Sequence, residues 1–319
     1  MFNKAAILFL VLALSVTALF SLRIENQKAT QKLNEHYAHA VAKAVEDAAD
    51  TMEYDESERN SMGKERVRET VLNTFFNSIS TAFGYEMTIE LEEDTRPGEY
   101  QRALYKHIPV VMLVDNDGYY VWHNTFDENG LIRGKLSSLT TWGEELGSGG
   151  RFYYVRYYLG NYVQIREKDT SQIYEGTVEK VYEDMLNDGP VEMAIEKILS
   201  SYDAYAVSRN RIVATSIEQT VGYYINNHNT AMKMDAMPDN DYVFTMPQQS
   251  GGDWIEMVEN PAVISFIQGI KVPDSDMYLN VFAFSGAEYS KDMMYYTNNE
   301  DMTYFRNGID NIPQEGDTP

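Results

Sequence analysis

Eighteen consecutive residues near the start of the chain, Ala5 to Leu22, read AAILFLVLALSVTALFSL and carry no charge. As a helix rising ~1.5 Å per residue this segment spans roughly 27 Å, close to the hydrocarbon thickness of a bilayer. It shows no polar face, which a helix of a soluble core usually keeps. It therefore reads as a single N-terminal membrane anchor or an export signal, and either one sends the rest of the chain across a membrane. A cleavable signal needs a shorter apolar stretch ending in small residues. Ala13 and Ser15, or Val16 and Ala18, offer such a pair, but Leu19, Phe20 and Leu22 carry the apolar run past them. Span length favours retention, with secretion after cleavage as the alternative. Lys4 lies before the segment and Arg23, Lys28 and Lys32 after it, so the positive-inside count is nearly balanced. Holding an acidic domain inside would need strong basic flanks, which Glu25 and Glu35 dilute. The expected topology is a single pass through a bacterial cell membrane, with the C-terminal domain extracytoplasmic.

The charge balance narrows the partners. Forty-nine Asp and Glu face 26 Lys and Arg, a net charge of −23, and such a surface repels nucleic acid and anionic lipid within a Debye length. No nucleic-acid partner is expected. The absence of cysteine removes disulfides, zinc thiolates, iron–sulfur clusters, a catalytic thiol and a lipidated N-terminal cysteine together. The exported part must be held by its core, for which a 44% hydrophobic composition suffices.

After the apolar segment, Leu33, Tyr37, Val41, Val45, Ala48 and Met52 recur at spacings of three and four, one apolar stripe on a helix. The apolar segment and this stripe predict one continuous rod, a stalk over residues 23–64 that ends in the polar hinge 53–64. The stripe either faces a partner or packs on its own domain. A second helix follows, with Val67, Val71, Phe75, Ile79 and Phe83 every four residues and Gly84 as its stop.

The pattern then turns to sheet. Val110 to Val114 is a continuous apolar run, Asp115-Asn116-Asp117-Gly118 is turn chemistry, and Tyr119 to Trp122 resumes β-favouring residues. A second hairpin is expected at 151–166 around Leu159-Gly160-Asn161. Helices are expected at 173–187, 190–202 and 208–232, the last carrying Val213, Ile217, Val221, Ile225, His228 and Met232 on one face. Strands are expected at 242–246 and 278–285, a helix broken by Pro261 at 254–268, and a mobile tail at 296–319. Helices and strands without regular βαβ alternation define an α+β class. The division is thus an anchor at 1–22, the stalk and hinge at 23–64, a mixed helix and antiparallel-sheet head at 65–295, and the tail.

Chemical motifs are sparse. His36 and His39 with Glu35 share one helical turn, but no HExxH accompanies them, and a solvated surface explains them. Ser61-Met62-Gly63-Lys64 has S-x-x-K spacing without the supporting elements of acyl-serine enzymes. An EF-hand loop at Asp115 fails because position 113 is Leu. His228, on an apolar helix face, reads as a buried histidine bonded to a backbone carbonyl. No nucleophile elbow, Walker loop or dinucleotide fingerprint occurs. The chain is read as non-enzymatic, with no catalytic residue, metal or cofactor expected.

Two resemblances follow from these segments. VVMLVDNDGYYVWH resembles the central hairpin of extracytoplasmic sensor domains of the Cache and PAS-like type, which implies a small-ligand site near Asp115, Asp117, Tyr119 and Trp122. The short leader, apolar helix, striped helix and α+β head resemble the layout of pseudopilin-like proteins encoded with Tad-type pilus or conjugation machineries of Gram-positive bacteria. VGYYINNHNTAMK, YVFTMP and DWIEMVENPAVISFIQG are similar to uncharacterised exported proteins of that group. The chain lacks a Gly before the apolar segment, and Glu25 lies beyond its end, unlike a prepilin signal. This layout implies protein–protein contact in a pilus-like, secretion or surface assembly, with other membrane proteins or with itself. The alternatives are the ligand-binding module and a surface hydrolase.

Overall fold

The run Val110 to Val114 shows no alternation because both faces of its strand are covered. Every residue of β1 (Val110–Asp115) is buried, with Val110, Met112 and Val114 in one hydrophobic cluster and Val111 and Leu113 in another. Successive side chains of a strand point to opposite faces, so a strand between two layers reads as continuous hydrophobicity.

The computed structural model describes residues 28, 31–33, 35–52, 61–83, 104–126, 132–148, 150–234, 243–244, 261–271, 278–286, 289–297 and 302–306. Two helices come first, α1 over residues 35–50 and α2 (Ser61–Ala82). After β1 come β2 (Gly118–Phe126), β3 (Ile132–Leu136), β4 (Gly143–Ser148), β5 (Arg151–Tyr157), β6 (Val163–Glu167) and β7 (Ile173–Gly176). Helices α3 (Val178–Asp188), α4 (Met193–Leu199) and the 33-residue α5 (Tyr202–Met234) follow. Strands β8 (Ala262–Lys271), β9 (Tyr278–Gly286), β10 (Tyr289–Thr297) and β11 (Met302–Arg306) complete the described fold, which is α+β.

Seven strands form the larger sheet, in the order β11-β10-β9-β8-β1-β2-β3, with every neighbouring pair antiparallel. Helices α1 and α2 cover one face. Val41, Val45 and Ala48 of α1 and Leu72, Phe75 and Phe76 of α2 are fully buried there with Trp122, Val263 and Ala283. Tyr37 stacks on Phe83 at 4.8 Å, and Ser78 Oγ donates to Asp47 Oδ2 at 2.8 Å, joining the two helices. Phe76, Tyr105 and Trp122 pack edge to face, with centroids 4.5–5.3 Å apart.

The opposite face of the same sheet packs against α3, α4, α5 and the smaller sheet, β4-β5-β6-β7. That sheet is a meander whose inner side chains, Tyr153, Val155, Tyr157, Val163 and Ile165, are buried while their neighbours on β5 and β6 are at least partly exposed, except Glu167. The sheets are stitched together by a bridge between Tyr119 and Thr140, whose two backbone hydrogen bonds are each 2.9 Å, and by Leu159 N–H donating to Asn116 O at 2.9 Å. Arg156 adds a 3.2 Å ion pair with Asp117.

Aromatic rings cover glycines on the outer strands of both sheets, a device that protects edge glycines. The indole of Trp122 lies where a Cβ at Gly134 on β3 would sit, with its nearest atom at 2.5 Å, and Tyr154 does the same at Gly143 on β4, at 2.4 Å.

The structure corrects several expectations. Val263 to Gln268 belongs to β8 rather than a helix, because this apolar run is buried on both faces and its length alone does not separate strand from helix. Residues 173–176 form β7, paired to β6, and helix begins only at Val178, where Thr177 Oγ1 caps Lys180 N–H. Strand β11 falls within the expected tail and pairs with β10. The striped helix belongs to the head, since its apolar face fills the same core as the sheet. Residues 61–64 of the expected hinge open α2 instead, and the rest of that hinge, most of the expected strand at 242–246 and all of Ala5–Leu22 lie outside the described residues. Among the described residues no helix is long and apolar enough to cross a membrane.

Gly134→Val would drive a branched side chain into the Trp122 indole. Overpacking of this kind costs about 1–3 kcal/mol, and urea denaturation should show a lowered midpoint with an unchanged slope.

Candidate functional site

The predicted ligand hairpin exists, with β1 and β2 paired from Val110 and His123 to Asp115 and Gly118, but its four named side chains do not converge. Tyr119 points to the α5 side, where its hydroxyl lies 2.7 Å from Thr220 Oγ1. Trp122, three residues on, points to the opposite face and is 1% exposed among Phe76 and Tyr105. An odd separation along a strand dictates this divergence. Asp115 is buried and accepts its neighbour Asn116 N–H at 2.7 Å, and Asp117 is held by Arg156. The turn is thus a structural joint between the sheets.

The stripe on α1 is likewise turned inward. Val41, Val45 and Ala48 are fully buried, Met52 is 4% exposed, and Tyr37 packs against the same cluster. Leu33 is half-buried. In this fold the stripe meets α2 and the sheet rather than a partner, because the sheet presents a second apolar face that must be covered. His36 and His39 are exposed, and among the described residues no group of three potential ligands is placed to hold a metal ion.

A polar node lies where the end of β2 meets the turn at 104–108 and the C-terminal part of α5. His228 is 2% exposed. Its Nε2 lies 3.0 Å from Lys106 O and its Nδ1 3.4 Å from Asn124 Nδ2. A carbonyl only accepts, so Nε2 carries a hydrogen, and the amide nitrogen facing Nδ1 is itself a donor, so Nδ1 is bare and the ring neutral. Asn124 Nδ2 donates to Tyr105 O at 2.6 Å and Ile108 O at 2.9 Å. Phe244 packs edge-on against the imidazole at 4.6 Å, and its backbone exchanges two hydrogen bonds of 2.7 and 2.8 Å with the Asn229 side chain. His107 Nδ1 lies 3.1 Å from Gln268 O, and His123 lies against Tyr224 at 4.4 Å.

Burial sets the protonation of all three histidines. It pushes His228 down to about 4, only partly opposed by the Lys106 carbonyl and reinforced by His107. It also lowers His107 and His123, the latter helped by Lys135. His228 therefore links three chain segments as a neutral side chain, firmly through Nε2 and more loosely through Nδ1.

A second node, not anticipated from the sequence, holds the loop between β5 and β6. Arg209 is 2% exposed, and among the described residues it makes no ion pair. Its Nη1 donates to Gly160 O and its Nε to Asn210 Oδ1, both at 2.9 Å. One turn earlier, the Tyr205 hydroxyl lies 2.5 Å from Tyr162 O and 3.2 Å from Tyr158 O, and accepts Tyr158 N–H at 3.2 Å. Burial raises this phenol to about 12. Carbonyls 158, 160 and 162 thus all meet side chains of α5, Gly160 O accepting from the guanidinium and the other two from the Tyr205 hydroxyl. The signal for this node was its spacing, since Arg209 falls in phase with Tyr205, Val213, Ile217, Val221 and Ile225 on the buried stripe of α5.

No family model matches this chain, and neither a curated protein nor a solved structure matches it.

Two measurements test these nodes. The unfolded chain binds a proton at His228 near pH 6.5 and the folded chain only near pH 4, so stability is complete above pH 6.5 and falls as the pH drops toward 4. This linkage amounts to about 3 kcal/mol, and His228→Gln should remove it from the pH dependence of the unfolding free energy. Arg209→Met strands the Gly160 carbonyl in the interior, a loss of roughly 1–3 kcal/mol. Urea unfolding should show it, with Arg209→Lys recovering part.

Proposed function

We propose that this is a non-enzymatic, membrane-tethered extracytoplasmic protein that acts by protein–protein contact in a pilus-like, secretion or surface assembly. The observation that carries this reading is the uncharged run Ala5–Leu22, which is long enough to span a bilayer and lies a few residues from the first described helical residues, 28 and 31–33. A head attached so closely works at the membrane surface, where its partners are other anchored proteins or further copies of itself.

The contact surface differs from the α1 stripe. Nine large apolar side chains are exposed among the described residues, and all lie between Phe152 and Val243. Met193 and Val207 are 67% and 72% exposed. Large exposed apolar side chains such as these suit protein contact. By contrast, the divergence of Tyr119 and Trp122 gives the ligand-binding alternative no common cradle.

Photo-crosslinkers at Met193 and Val207 in native membranes should trap a second copy or an anchored neighbour. The full chain should stay in the membrane pellet after alkaline carbonate and lose that behaviour when residues 1–22 are deleted. Carbonate release of the full chain, or a strictly monomeric pattern from both crosslinking positions, would sink the proposal.

A further inference from the structure

The node around His228 contains two acceptors that are short of donors. Asn124 Nδ2 has two hydrogens, and the carbonyls of Tyr105 and Ile108, at 2.6 and 2.9 Å, take both. The 3.4 Å contact leaves His228 Nδ1 with a weak share. On the same amide, Asn124 Oδ1 is buried and has no hydrogen-bond partner among the described residues. A lost hydrogen bond at a buried acceptor is costly, and a hydrogen placed on Nδ1 with Oδ1 turned to accept it would leave neither atom wanting.

We propose that His228 and Asn124 form an acid-operated latch, in which a proton added at His228 Nδ1 draws Asn124 Oδ1 to it and withdraws the Asn124 amide hydrogens from the turn at 104–108. The proton comes from solvent, and no covalent bond changes. Oδ1 and Nδ2 belong to one rigid planar amide, so turning Oδ1 toward the ring moves Nδ2 away from a carbonyl it now holds. At neutral pH the amide clamps the turn to β2, and in acid the clamp opens.

The groups around the ring determine when this happens. The 104–108 turn contributes Lys106 and His107, β2 contributes His123, with Lys135 on β3 paired to it, and α5 contributes Tyr224 against His123. Segment 243–244 adds no ionisable side chain. No carboxylate acts on His228 among the described residues, and burial and His107 both oppose its charge. The latch therefore stays closed until the solution is distinctly acidic.

Opening has a readout on the far side of the sheet. His228 projects from α5, whereas Tyr105 packs against Phe76 and Trp122 in the core under α1 and α2. Asn124 stands between them, so a proton received at α5 loosens a contact of the opposite layer. The backbone bonds of the turn, His107 N–H to Leu104 O at 2.9 Å and Ile108 N–H to Tyr105 O at 3.1 Å, report that loosening.

The test is a pH titration of the full chain in detergent micelles, with carbon-13 in histidine rings and nitrogen-15 in asparagine side chains. The Asn124 side-chain amide should shift with the same midpoint as the His228 ring. The amides of His107 and Ile108 should exchange about tenfold faster below that midpoint, after correction for intrinsic rates. His123→Gln should keep both responses and His228→Gln should abolish both. A titrating His228 with an unresponsive Asn124, a response that persists in His228→Gln, or global loss of dispersion before any separate His228 titration would each overturn the latch.

Discussion

Everything in this fold depends on β1 being covered on both faces. Its five apolar residues, Val110 to Val114, are at most 1% exposed, and burying each such side chain contributes about 1.5–3 kcal/mol. Neither layer alone secures that gain. Helices α1 and α2 are needed for Val111 and Leu113, while α5 and the smaller sheet are needed for Val110, Met112 and Val114. The two clusters are therefore built on the same strands, so damage to the central sheet reaches both.

Between these apolar layers the polar groups act as ties. His228 and Asn124 join α5, the end of β2 and the 104–108 turn, and Arg209 with Tyr205 joins α5 to the loop between β5 and β6. Both ties use side chains of α5 against backbone carbonyls of segments distant in sequence. A long helix is stiff, so these fixed points set its position along its length. They also explain why the polar residues on its apolar face are tolerated, since each finds backbone partners that cannot move away.

Much of the local structure was legible beforehand. The hairpins around Asp115-Asn116-Asp117-Gly118 and Leu159-Gly160-Asn161 carry turn residues between β-favouring runs, and both formed. The periodicities of α2 and α5 marked real helices whose stripes are buried. Reading failed where period gave no information. Val263 to Gln268 is too short and lacks a clear period for helix and strand to be told apart, and the glycines of β3 and β4 lie under the rings of Trp122 and Tyr154 on neighbouring strands, contacts that no period marks. Of the candidate sites, the separation of Tyr119 from Trp122 already implied opposite faces, whereas the partners of Asn124 and Arg209 lie too far along the chain for spacing to suggest them.

By itself the sequence determined the membrane-length apolar run, the acidic cysteine-free composition and the periods of its main elements. These are local properties, set by side-chain hydrophobicity at spacings of two and of three to four. Only the tertiary structure decided what each apolar face meets. The stripe from Tyr37 to Met52 has the same pattern whether it covers a partner or its own sheet, and it turned inward because a seven-stranded sheet buried on one side still had a second apolar side to cover. That choice depends on the pairing of β1 with β8, residues more than a hundred positions apart, which no local period encodes.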